Sequence, residues 1–102
     1  MSLVHILATI SFSHEHLEKG KQKLIEVLAP SRAEHGNVSY LLFQDQSDPH
    51  CFIFQEIWQS TTAFEMHQKT SHFLNLFNYL KVYAQSVDIK TLADFNEPFS
   101  ED

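Results

Sequence analysis

Residues 38–58, VSYLLFQDQSDPHCFIFQEIW, decide the fold. The first eight, Val38 to Asp45, are rich in apolar and β-favouring types and read as a strand. Gln46-Ser47-Asp48-Pro49-His50 is dense in turn formers and reads as a hairpin loop. Cys51 to Trp58 reads as the return strand. Period-two alternation puts Phe52, Phe54, Glu56 and Trp58 on one face and Cys51, Ile53, Gln55 and Ile57 on the other. An antiparallel pair apolar on both faces must be covered on both.

Working outward, residues 3–12 (LVHILATISF) form another strand with two largely apolar faces: Val4, Ile6, Ala8 and Ile10 against Leu3, His5, Leu7 and Thr9. Between this strand and the hairpin, Ser13 is a plausible helix cap. Leu17, Leu24, Ile25 and Leu28 follow helical spacing. Gly20 weakens the helix, and Pro30 predicts an end or kink near Ala29, with a further turn through Ser31–Glu34 closed by His35-Gly36-Asn37. Beyond the hairpin, either Ser60 or Thr62 (with Glu65 three residues on) caps a short helix running to about Lys69. Thr70-Ser71 starts a second helix that buries Phe73, Leu74, Leu76, Phe77 and Leu80. Residues 87–95 alternate as a last strand, with Val87, Ile89, Thr91, Ala93 and Phe95 on one face. Residues 96–102 read as a loose acidic tail.

The order is β-α-β-β-α-β: an α+β, ferredoxin-like chain with a four-stranded antiparallel sheet and its helices on one face. Length and order suit a single domain over residues 1–102. Helices on one side leave an apolar sheet face open, larger than a monomer tolerates. A second copy packed sheet to sheet across a two-fold axis is the simplest cover, so a homodimer is expected.

Composition narrows the functions. A formal net charge of −6, with only seven Lys plus Arg and no basic run, argues against nucleic acid and against an anionic membrane surface as partners. One cysteine, Cys51, cannot form an internal disulfide, and neither a signal peptide nor a membrane-spanning run is visible; a cytoplasmic location is expected.

Arg32-Ala33-Glu34-His35-Gly36, Tyr40, Gln44-Asp45, Asp48-Pro49, the Phe52–Trp58 strand, His67 and Ser71-His72-Phe73 together resemble the antibiotic biosynthesis monooxygenase family. The resemblance implies a dimeric α/β barrel with a ligand pocket between sheet and helices. Members include quinol and polyketide monooxygenases that use no metal, flavin or haem, proteins that process a phosphorylated signalling sugar, and haem-degrading proteins. Cofactor-independent chemistry needs an electron-rich phenol or quinol, O2, a base, a dry aromatic pocket and an anion stabiliser.

On that resemblance His67 is the base or donor, or alternatively a structural histidine tying helix to sheet. Tyr40 or His72 stabilises the oxyanion, with packing and capping as the competing roles. Trp58, Phe54 and Phe43 shape the pocket, with plain core packing as the competing and favoured role for the Phe54–Trp58 face. Glu56 is a buried acid satisfied by Arg32 or a histidine, and His5 faces either the pocket or the dimer. Phosphorylated-sugar processing ranks second, because only Arg32 and a few lysines, Lys69 nearest the motif, offer a phosphate site. A non-catalytic binding dimer ranks third. Haem breakdown is disfavoured: the first strand lacks the Asn of that branch, and Phe77 stands where its axial His belongs. No metal site is expected, because His67 and His72, five apart, do not share one helix face and no HExxH pattern occurs.

Overall fold

A computed structural model describes residues 2–96. The order is β1 (Val4–Ser11), a 3-10 turn (His14–His16), α1 (Leu17–Glu26), α2 (Leu28–Arg32), β2 (Asn37–Gln44), β3 (Cys51–Trp58), α3 (Thr61–His67), α4 (Ser71–Tyr83) and β4 (Ser86–Leu92). The sheet runs β2-β3-β1-β4, every neighbouring pair antiparallel. This is the expected ferredoxin-like α+β fold.

Alternation decides which side chains enter the core. Ile6, Ala8 and Ile10 of β1, Tyr40 of β2, and Phe52, Phe54 and Trp58 of β3 are buried beneath Leu24, Val27, Leu76 and Leu80. The opposite face carries Leu7, Ile53 and Ile57 half-buried and Leu41 and Phe43 exposed. Phe12 closes one end of the core, and Gly20 is why it can: a Cβ at Gly20 would overlap the Phe12 ring. The glycine that weakens α1 by propensity is the one that lets the helix sit on the sheet.

Three local expectations shift and one open alternative, the cap of α3, is decided. The first helix breaks at Val27 rather than near Ala29, and Pro30 becomes the third residue of α2, where first-turn amides need no intrahelical partner. Ser60, not Thr62, caps α3, its hydroxyl accepting from the Ala63 amide at 3.1 Å. Leu74 faces solvent on α4 instead of the core. Finally, β4 stops at Leu92 because its only neighbour, β1, pairs Leu92 with His5 and begins one residue beyond, at Val4; Phe95 is 94% exposed. Residues 97–102 of the expected tail lie outside the described residues.

Candidate functional site

A cleft lies between the sheet and α3–α4. Its floor is Ile6, Ala8 and Ile10 of β1 with Phe54 and Glu56 of β3. Its roof is Phe64, Phe73, Leu76, Phe77 and Leu80, and its rim is Val87 and Ile89 on the edge strand β4. The half-open cleft leaves about 40 Å³ of free space, room for little more than water until the phenylalanine roof or the β4 rim moves.

Among the described residues Glu56 is the one ionisable side chain lining this cleft, and it is only 6% exposed. Its Oε1 accepts a hydrogen bond from the Trp58 indole Nε1 at 3.0 Å. Burial pushes its carboxyl up to about 7; the Trp58 hydrogen bond opposes this and the negative charge of Glu34 adds to it. An acid poised there exchanges protons near neutrality, which suits a general base in an apolar site. Its partner is neither Arg32 nor a histidine, because Arg32 donates instead to the Tyr40 carbonyl at 2.8 Å.

Behind Trp58 sits a second polar cluster. His67, the last residue of α3, is 1% exposed and packs its ring 4.4 Å from the Trp58 ring, centroid to centroid. Its Nδ1 lies 2.6 Å from Glu34 Oε2, and Nε2 of His72 lies 2.7 Å from the same oxygen. An ionised carboxylate only accepts, so in that state His67 carries its proton on Nδ1 and His72 on Nε2. Burial lowers the His67 pKa, against the hydrogen bond and charge of Glu34, which favours the neutral ring.

The expectation that His67 and His72 point apart is corrected by the helix break between them. Five residues on one continuous helix would diverge, but α3 ends at His67 and α4 begins at Ser71. Thr70 fixes the joint: its hydroxyl donates to the His67 carbonyl at 2.7 Å and accepts from the Phe73 amide at 3.2 Å. Glu34 reaches the pair from the turn after α2, and that turn packs close to α3 because Gly36 has no Cβ to overlap Ala63. Sequence reasoning did not nominate Glu34; the acid of the Glu34-His35-Gly36 string was the available signal.

The other expected site residues divide. Phe54 and Glu56 line the cleft. Trp58 lies beneath it, fully buried, and holds Glu56. His67, His72 and Tyr40 do not line it. Tyr40 packs edge-on against Trp58 and His67, and burial, then the Glu56 charge, raises its hydroxyl pKa far above the ordinary tyrosine value. Phe43, 49% exposed, and His5 belong to the open face of the sheet, away from the cleft.

With this geometry in view, comparisons place the chain among known proteins. Residues 3–79 match the family model of antibiotic biosynthesis monooxygenases. YcnE of Bacillus subtilis, a candidate monooxygenase by name, is 30% identical over 71 residues, covering 70% of this chain and 75% of that protein. The uncharacterized protein sll1783 of Synechocystis is 35% identical over 46 residues; the match covers 45% of this chain and only 31% of that protein. Among solved structures, PA3566 from Pseudomonas aeruginosa superimposes with a TM-score of 0.87 at 36% identity, covering 92% of this chain and 95% of that one.

Proposed function

The chain belongs to the antibiotic biosynthesis monooxygenase family, and from that premise we propose that it is a monooxygenase that oxidises a small quinol or similarly activated aromatic with O2 and no cofactor. The observation that carries this reading is Glu56, the single carboxyl among the described residues of an otherwise apolar, aromatic cleft, with its pKa raised to about 7. Glu56 takes the quinol hydroxyl proton, and the anion delivers its electrons directly to O2. For a simple quinol the balance is quinol plus O2 giving hydroxyquinone plus water: one oxygen atom enters the ring and the other leaves reduced. The base role passes from His67 to Glu56, and His67 supports Trp58 from behind.

Among the described residues no Lys or Arg lines the cleft, so a phosphorylated sugar lacks a counter-charge there. The small volume of the cleft favours one second reading, a non-catalytic module that binds a compact apolar ligand. The working unit in the proposal is a cytoplasmic homodimer in which a second copy covers Leu41, Phe43, Ile53 and Ile57, with no nucleic acid or membrane partner. Among the described residues, no helix is long and apolar enough to cross a membrane.

Oxygen consumption by metal-depleted protein with a panel of reduced quinols tests the activity. Uptake above the autoxidation blank that disappears in Glu56→Gln supports the reading. No uptake across the panel, with one of the same compounds bound, supports the binding module.

A further inference from the structure

The chemistry of the cleft gives the Glu34–His67–His72 cluster no direct part beyond the support His67 lends Trp58. None of the three lines the cleft, yet their ligating atoms all lie within 4.8 Å of one another. We propose that these three side chains bind one divalent transition-metal ion of the zinc class.

Two imidazoles and one carboxylate suit such an ion: nitrogen donors favour it over calcium or magnesium, and three protein ligands leave a fourth position for water. Ligand atoms arranged tetrahedrally about 2.1 Å from a metal lie roughly 3.4 Å apart. The nitrogen–oxygen distances here are 2.6 and 2.7 Å, so the Glu34 carboxylate has to back away by less than about 1 Å, and the two nitrogens, within 4.8 Å of each other, have to settle to the same spacing.

The rings are already aimed, and on binding each neutral ring carries its proton on the other nitrogen, which frees Nδ1 of His67 and Nε2 of His72 to ligate. His67 is wedged between Trp58 and Phe73, with ring centroids at 4.4 and 5.1 Å, and Thr70 fixes the joint that brings His72 alongside. Their ordering is set by folding rather than by binding the ion. The cluster is reached from solvent: the Glu34 and His72 side chains are 14% and 21% exposed, and each lines a surface depression of its own.

The proposal stands apart from the oxidation chemistry, which is assayed on metal-depleted protein, so either can fail alone. The test is calorimetric titration of metal-depleted protein with Zn²⁺, paired with Co²⁺ and visible spectroscopy. One equivalent of Zn²⁺ is expected to bind and raise Tm, and Co²⁺ is expected to give the absorption of a four-coordinate nitrogen and oxygen site. Glu34→Gln and His72→Gln, both at partly exposed positions and checked for native circular dichroism, each weaken binding by about 100-fold or more. His50→Gln removes the His50 ring from its place beside Asp48 and His14, the competing surface group, and leaves binding unchanged. Absent binding, equal affinity in wild type and both cluster variants, or loss on His50→Gln overturns the assignment.

Discussion

Glu56 and Trp58 are two residues apart on one face of β3, both buried, and the indole Nε1 donates to the carboxyl at 3.0 Å. The strand repeat puts them on one face, and the hydrogen bond turns that neighbourhood into a polar anchor beneath the cleft. Trp58→Phe keeps an aromatic ring but removes the only hydrogen bond that the Glu56 side chain makes among the described residues. The expected cost is about 2 kcal/mol, read by chemical denaturation, together with a Glu56 pKa moved further upward, read from the pH profile of stability.

Glu56 also sets the sign of part of that pH profile. Its carboxyl is raised from 4.5 to about 7 in the folded state, so the folded protein holds the proton more tightly than the unfolded chain. Its contribution is fully favourable below the unfolded value of 4.5 and is lost as pH rises to about 7, a change of roughly 3 kcal/mol. His67 acts in the opposite sense: its lowered pKa favours the folded state above its ordinary 6.5, and that preference is lost as pH falls. Glu56→Gln therefore removes the alkaline-side loss and leaves the acid-side loss. Denaturation midpoints from pH 4 to pH 8 show this, and an unchanged alkaline limb in the variant contradicts it.

Glu34→Ala leaves the facing nitrogens of His67 and His72 without their acceptor, one of them fully buried. A loss of about 2 kcal/mol is expected, with Glu34→Gln retaining much of the stability because its amide oxygen still accepts. Thermal denaturation of the two variants side by side separates the lost acceptor from the lost charge.

Gly20→Ala raises helix propensity by about 1 kcal/mol yet is expected to destabilise the protein. The new methyl meets the Phe12 ring, and Phe12 is fully buried. The net loss is about 1–2 kcal/mol, and Phe12→Leu in the same chain recovers part of it by making room.

On the open sheet face, a charge at Leu41 or Phe43 is expected to disrupt the proposed dimer while leaving secondary structure intact. Sedimentation of Phe43→Asp against wild type reports it: a species of half the mass is expected, and an unchanged mass refutes dimerisation through this face.

Much of the fold is legible because strand parity is a strong signal. The alternation in β3 places Phe52, Phe54, Glu56 and Trp58 together, and the structure buries all four. The same rule separates residues that a family resemblance groups. Tyr40 and Phe43 are three apart on β2, and His5 is one removed from Ile6 on β1, so neither Phe43 nor His5 can share the core face. The Glu34–His67–His72 cluster was not legible, because it depends on a helix break of three residues and on a turn brought in from 33 positions away. Hydrogen-bond choice was equally hidden: sequence supplies Glu56 with several possible partners, and packing selects the indole beside it.

The measurement that bears most directly on the central claim is oxygen uptake by metal-depleted wild type and Glu56→Gln with the same reduced quinol. The account predicts uptake above the autoxidation blank in the wild type, rising through pH 7 as Glu56 ionises and absent in the variant. Equal uptake by both proteins would contradict the assignment of Glu56 as the base.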